Sequence, residues 1–292
     1  MNHRSGFVNI LGNPNVGKST LMNALVGEKL SIITPKAQTT RHRIMGIVNG
    51  EDFQIVYSDT PGLLIPRYKL QEAMMAFIET ALADADVLLY VTDVTERPDS
   101  EGEYIKRIRK SEKPVIVAVN KIDLSNQAEL ENIVRSWKEM LPLSEVIPVS
   151  AINNFNLNNL LDLIISRLPE GEPFFPKDQL TDRYERFFAA EIIREKVFLN
   201  YHQEIPYSVE IEIESYRDEG SVLKICALIH VTRDSQKGII IGHKGSRLKK
   251  VGTEARLDME EFFNRKVFLE TYVKVTRDWR DKPLFLRRFG YR

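Results

Sequence analysis

Gly12-Asn13-Pro14-Asn15-Val16-Gly17-Lys18-Ser19, with Thr20 behind it, is the stretch on which the fold of this chain turns. It follows an apolar run, Gly6–Leu11, and opens a stretch of helical periodicity, Lys18–Val26. The pattern G-x-x-x-x-G-K-[ST] therefore lies between a strand and a helix, the setting its chemistry needs. Glycines there let successive backbone N–H groups turn inward around phosphate oxygens, and the helix N-terminus adds its partial positive charge. Lys18 is expected to bridge the outer phosphates of a nucleoside triphosphate, and the Ser19 hydroxyl to hold Mg²⁺.

Outward from this loop, residues 1–170 alternate short apolar runs with helical patterns, the mark of a parallel sheet wrapped by helices. The runs Gly6–Leu11, Arg43–Val48, Phe53–Asp59, Val87–Thr92, Val115–Asn120 and Glu145–Val149 predict a mostly parallel six-stranded α/β sheet with helices on both faces. A turn at Gly50–Asp52 predicts that the second and third strands form an antiparallel hairpin. Helices are expected over Lys18–Val26, Leu70–Ala83, Ser100–Lys110, Gln127–Met140 and Leu157–Arg167.

Two further motifs stand at the ends of predicted strands, the edge where open α/β sheets place ligands. Asp59-Thr60-Pro61-Gly62 offers a carboxylate for Mg²⁺ and a glycine N–H that can sense a γ-phosphate. Asn120-Lys121-Ile122-Asp123 supplies base choice. The Asp123 carboxylate can accept from N1–H and the exocyclic amino group of guanine, whereas adenine offers neither donor and would leave the charge unpaired. Asn120 can tie the base to the phosphate loop while the Lys121 stem lies along the purine. Ser150 and Ala151, after the last strand, would close over the base through backbone N–H groups. GTP and GDP are thus the expected ligands.

Pro169-Glu170-Gly171-Glu172-Pro173 breaks the rhythm, placing a first domain at 1–170, a linker at 171–181 and a second domain at 182–292. A helix near Asp182–Phe198, strands Tyr207–Glu214 and Ser221–Val231, a glycine-rich corner Gly238–Gly245, a helix Ser246–Arg265 and a strand Lys266–Val275 predict a smaller α+β unit. At its corner, Gly242-His243-Lys244-Gly245 fits the G-x-x-G loop that clamps about four single-stranded nucleotides, with Arg247 and Lys250 adding charge. The tail interleaves Trp279, Phe285, Phe289 and Tyr291 with arginines, a pattern suited to stacking and phosphate pairing on single-stranded RNA. Cys226 lies in the apolar run Leu223–Val231, where core packing is expected.

Bulk composition agrees with a globular chain: 292 residues, 43% hydrophobic, 28% charged and neutral overall. The neutrality hides an asymmetry. Residues 1–171 carry 18 Lys/Arg against 21 Asp/Glu, 172–239 carry 9 against 13, and 240–292 carry 14 against 7. A basic C-terminal segment suits an anionic partner, either nucleic acid or a lipid surface. No apolar run is long enough for a membrane-spanning helix, and the N-terminus lacks the apolar core of a signal peptide. A single cysteine cannot form an internal disulfide, so a reducing cytoplasm is expected.

Over residues 6–168 these motifs resemble the translation-factor-related GTPases. The resemblance implies that Ser31–Arg43 is a first switch, in which Thr40 or Thr39 of Gln38-Thr39-Thr40-Arg41-His42 completes Mg²⁺ coordination. Thr40 is favoured. It further implies that Asn15 helps bind K⁺ beside the phosphates, in place of an arginine finger. Leu63 stands where Ras-type enzymes carry a water-orienting glutamine, so slow intrinsic hydrolysis is expected. A GTPase domain followed by one type II KH domain is similar to the Era family of bacterial GTPases along essentially the whole chain. That resemblance implies binding to the 3′ end of 16S ribosomal RNA, help in assembling the 30S subunit, and peripheral membrane association; DNA is not an expected partner. The competing expectation is a membrane-associated signalling GTPase.

Overall fold

The apolar runs ahead of the motifs become the strands of one sheet. In the computed structural model, which describes residues 3–96 and 102–291, these are β1 (Arg4–Leu11), β2 (Ile44–Asn49), β3 (Phe53–Asp59), β4 (Val87–Asp93), β5 (Val115–Asn120) and β6 (Glu145–Pro148). Their order is β2-β3-β1-β4-β5-β6, parallel except for the antiparallel β2–β3 hairpin. Every residue of β4 is buried, as are six of the seven in β3, so both faces of the sheet centre are covered. The covering helices are α1 (Lys18–Val26), α2 (Lys69–Asp84), α3 (Glu103–Arg109), α4 (Gln127–Met140) and α5 (Leu157–Arg167). Ser100, the expected start of the third helix, lies outside the described residues, as do Met1, Asn2 and Arg292.

Register decides where the chemistry falls. Ile10 stands beside Asp59 across β1 and β3, and Asp93 beside Asn120 across β4 and β5. Each parallel strand thus ends at one edge, and the motifs leave the sheet side by side.

Two compact units result, the first comprising Met1–Ser31, Thr40–Ile65 and Met74–Asp182, the second Ile32–Thr39, Pro66–Ala73 and Arg183–Arg292. Residues 171–181, expected to link the domains, run along the first unit. Gln54 accepts from the N–H groups of Phe174 and Phe175 at 2.7 and 3.0 Å, and the Ile47 N–H donates to the Leu180 carbonyl at 2.8 Å.

The second unit contains α6 (Glu185–Asn200), α7 (Ile205–Ser208), β7 (Glu210–Asp218), β8 (Val222–Val231), α8 (Asp234–Ile241), α9 (Ser246–Phe263), β9 (Lys266–Val275) and α10 (Pro283–Arg288). Its sheet runs β7-β8-β9, antiparallel then parallel, and α6 and α9 bury Ile193, Val197, Val251, Ala255 and Met259 against it. Each of the larger side chains among these, Ile193, Val197, Val251 and Met259, stabilises the unit by about 1.5–3 kcal/mol. Two expectations are corrected. Tyr207 and Ser208 are helical, because Pro206 pre-sets the first turn of α7 and delays the strand to Glu210. Cys226 is half-buried rather than in the core, since alternation along β8 sends Ile225 and Ala227 inward and Cys226 to the opposite face, where its thiol donates to Glu214. Within this unit α6 also carries the fully buried Arg194, paired with Glu191 and donating to the Thr39 carbonyl at 2.6 Å.

Candidate functional site

The first motif curls over the end of β1. Lys18 is 6% exposed, and its Nζ donates to the Gly12 and Asn13 carbonyls at 2.9 and 2.8 Å, which holds the ammonium inside the loop. Burial pulls its pKa down to about 8, against the opposing charges of Asp59 and Glu96. Gly17 has φ 94, and a Cβ there would meet Asn120 Nδ2 at 2.3 Å, so no larger residue fits. Gly62 is fixed by close approach: its Cβ would lie 2.8 Å from the Pro14 ring. Thr60 holds this second loop against β1 by donating to the Ile10 carbonyl at 2.7 Å, and Pro61 behind it is buried.

Three oxygens converge beside the loop. Ser19 Oγ donates to Asp59 Oδ2 at 2.6 Å and lies 2.9 Å from Thr40 Oγ1, which is 3.4 Å from the same carboxylate oxygen. Thr39 points elsewhere, bonding Thr34 and the Lys36 carbonyl, each at 2.6 Å. Asp59 is fully buried, and its Oδ1 has no hydrogen-bond partner among the described residues. Burial pushes this carboxyl up, opposed by the Ser19 hydroxyl and the Lys18 charge. An orphaned buried carboxylate oxygen with two hydroxyls at hand is a hard-oxygen donor set, and it fits Mg²⁺.

At the base end, Asn120 Nδ2 donates to the Val16 carbonyl at 3.0 Å while its Oδ1 accepts from the Ala151 N–H at 3.0 Å. One buried amide thus joins the phosphate loop to the Ser150–Ala151 turn. Ser150 Oγ donates to Asp123 Oδ1 at 2.5 Å, aiming a carboxylate that remains exposed at the mouth. Lys121 Nζ donates to the Asn15 carbonyl at 2.6 Å and pairs with Asp93 Oδ2 at 2.6 Å.

Asp93 is a residue that motif reading missed, and so is Glu96. Asp93 ends β4, and its Oδ1 accepts from the N–H and hydroxyl of Thr95 at 2.8 and 2.6 Å. The Lys121 and Thr95 contacts hold its carboxyl below the usual carboxylate range despite burial, which works against them. The signal available in the sequence was positional: β4 is the one central strand whose C-terminal end carries no named motif, yet it reaches the same edge.

In the second unit, the Gly242–Gly245 turn separates α8 from α9, with φ of 70, 49 and 78 at Gly242, Lys244 and Gly245. His243, Lys244, Arg247 and Lys250 are all exposed, and Lys250 meets Glu254 at 3.7 Å. Lys244 and Arg247 carry no hydrogen bond or ion pair among the described residues, so both cations are free to meet an anion. The aromatic tail corrects an expectation. Trp279 is fully buried inside its own unit, its Nε1 donating to the Ser208 carbonyl at 2.9 Å and its ring edge-on to Phe289. Tyr291 is buried as well, donating to Glu210 at 2.7 Å. Neither ring is available for stacking on a base, because the tail is part of the domain's core.

A family model described as a 50S ribosome-binding GTPase matches residues 7–121, and one described as a KH domain matches residues 204–280. GTPase Era of Geotalea daltonii is 45% identical over 290 residues, covering 98% of this chain and 97% of that protein. GTPase Era of Pseudomonas putida is 46% identical over 290 residues, covering 99% and 97%. A solved structure of Era in complex with MgGDPNP and nucleotides 1506–1542 of 16S ribosomal RNA matches with a TM-score of 0.94 at 42% identity, covering 99% of each chain. An Aquifex aeolicus Era variant bound to GDP·AlF₄⁻ gives 0.95 at 42% identity over the same shares. Identity at this level along both domains is decisive: the chain belongs to the GTPase Era family.

Proposed function

We propose that the chain is a GTP-binding, slowly GTP-hydrolysing switch that engages the single-stranded 3′ end of 16S ribosomal RNA and assists assembly of the 30S subunit. The observation that carries this is the pairing of a wired nucleotide site with a loop of unpaired cations on one chain, in a family whose solved member holds both MgGDPNP and 16S RNA. The family-model description that names the 50S subunit covers only residues 7–121, whereas the RNA-bearing relative covers 99% of the chain. The small-subunit reading is therefore preferred. The test is RNA binding by the full chain: a 16S 3′-end oligonucleotide should bind, and Gly242→Asp with Lys244→Ala should abolish that binding while GTP affinity stays intact. Loss of GTP affinity together with RNA affinity would overturn the division of labour.

Backbone N–H groups of the phosphate loop, Asn13 and Asn15 to Thr20, would surround the phosphates. Lys18 would neutralise charge as the γ-phosphate leaves, and the Gly62 N–H would hold a γ-oxygen. Ser19, Thr40 and Asp59 would hold Mg²⁺, which when bound supplies a Lewis acid for the developing phosphate charge. Asp123 would read guanine, with Ser150 and Ala151 closing the base pocket. Nothing at Leu63 can orient water, so an activating group must come from elsewhere. We assign that part to K⁺ held with the help of Asn15; equal hydrolysis rates in K⁺ and Na⁺ would remove it.

Nucleotide state would reach the RNA unit through the first switch. Thr39 is bonded by Arg194 inside the second unit, and Thr40, its neighbour in sequence, sits beside Ser19 and Asp59. Equal RNA affinity with GTP analogue and with GDP would refute the coupling. The working place of such a protein is the cytoplasm, with the basic segment 240–292 as the face for any peripheral contact with anionic lipid. No helix among the described residues is long and apolar enough to cross a membrane.

A further inference from the structure

The segment leaving β4 carries a carboxylate that belongs to none of the nucleotide motifs. Glu96 is half-buried and held from several sides. Thr92 Oγ1 donates to its Oε2 at 2.7 Å, and its own N–H donates to the Asp93 carbonyl at 3.2 Å and to Asp93 Oδ1 at 3.1 Å. The remaining oxygen, Oε1, accepts from the side-chain amide of Asn13. We propose that Glu96 is a positioning residue for guanine-nucleotide binding: by gripping the Asn13 amide it fixes the first half of the phosphate loop in the shape that receives phosphate.

The reason lies in the loop's own sequence. Pro14 has no N–H, so it removes one donor from the phosphate cradle. Asn13 and Asn15, on either side of it, then matter more, and both are fastened from outside the loop. Asn15 sits at φ 66, a conformation that needs support in a non-glycine residue, and Lys121 grips its carbonyl at 2.6 Å while Asp93 grips Lys121. Asn13 has Glu96 in the same part. Both anchors therefore trace back to the four residues Asp93–Glu96, Glu96 directly and Asp93 through Lys121. A loop fastened before the ligand arrives does not pay its ordering entropy on binding. Direct contact between Glu96 and nucleotide is disfavoured, because a carboxylate repels phosphate; it acts through the Asn13 amide.

The inference rests on the GTP-binding reading, which wild-type affinity for GDP and for a non-hydrolysable GTP analogue tests separately. With fluorescent forms of both nucleotides, Glu96→Ala in the full chain should weaken GDP and analogue alike by about tenfold, the size of one lost charge-assisted hydrogen bond. KM for GTP should rise by a similar factor while kcat at saturation stays within about twofold, the signature of uniform binding. Glu96→Gln keeps an acceptor oxygen and should recover most of the affinity. Asn13→Ala should reproduce the loss, and the double variant should be no weaker than either single one, because both remove the same contact. Additive losses in the double variant, wild-type affinity in Glu96→Ala, or a loss confined to kcat would each overturn the proposal. Saturable binding with an unchanged far-ultraviolet circular dichroism spectrum separates these outcomes from a misfolded variant.

Discussion

The loop Gly12–Ser19 and the loop Gly242–Gly245 are both punctuated by glycine and both carry lysine, yet they are built in opposite ways. Lys18 is buried and donates to two carbonyls of its own loop, and a web of amides and carboxylates from β4, β5 and the Ser150 turn fixes its surroundings. Lys244, on the short turn between helices, and Arg247, in the first turn of α9, stand exposed and unpaired among the described residues. The first arrangement suits one small ligand of fixed geometry, where preorganisation converts directly into affinity. The second suits a polymer backbone, where each phosphate is an approximate target and charge matters more than angle.

The nucleotide site is most sensitive at the base. Asp123→Asn puts an amide donor opposite the exocyclic amino group of guanine, where xanthine carries a carbonyl, so GTP affinity should fall on the order of 10³–10⁴-fold, with xanthosine triphosphate preferred in competition binding. RNA affinity of the nucleotide-free protein should stay within about twofold of wild type.

Trp279→Ala is next in size. Emptying the site of a fully buried indole should cost the second unit about 3–5 kcal/mol, read as a lower unfolding midpoint. The nucleotide unit should melt as before, and a loss of GTP affinity would show that the two units do not fold separately.

Lys244→Ala should weaken RNA binding by about tenfold or less and lower the slope of log affinity against log salt by about one. The same salt titration should barely move GTP affinity in either protein, which turns the contrast between the two loops into two measured slopes.

The smallest effect is a pH dependence confined to the second unit. Burial holds the imidazole of His230 below its ordinary 6.5, against the raising influence of Glu212, with Lys274 and Arg288 adding to the lowering. The folded unit thus binds fewer protons than the unfolded chain, so its stability is complete above about pH 6.5 and is lost as pH falls through the folded value. Melting between pH 7.5 and 5 should show the second unit falling more than the first, and His230→Gln should flatten the difference.

The sequence was most readable where chemistry demands fixed spacing. Gly12–Ser19, Asp59–Gly62 and Asn120–Asp123 each announced themselves beside an apolar run, and register then brought them to one edge. Glu96 and Asp93 were not readable that way, because their partners Asn13 and Lys121 lie 83 and 28 residues off and no local pattern records such pairing. Cys226 misled because β8 is apolar on both faces near it: Leu228 shares its side, so composition alone did not separate in from out. Trp279 misled for a related reason. Aromatics interleaved with arginines look the same whether the rings face a base or the Ser208 carbonyl, and only the fold chose.

The course of residues 171–181 bears on how a nucleotide domain should be cut from this chain. Gln54 is fully buried, and its amide bonds the Phe174 and Phe175 N–H groups and the Phe175 carbonyl. The outermost strand of that sheet, β2, meets the Leu180 carbonyl at Ile47 and the Thr181 hydroxyl at Met45. A fragment stopped at residue 170 would leave Gln54 Oε1 without its two N–H donors, though Nε2 keeps Asn49 at 2.7 Å, and would uncover a sheet edge, a template for strand-to-strand aggregation between molecules. A fragment carried through Asp182 keeps both, and should stay monomeric where the shorter one precipitates.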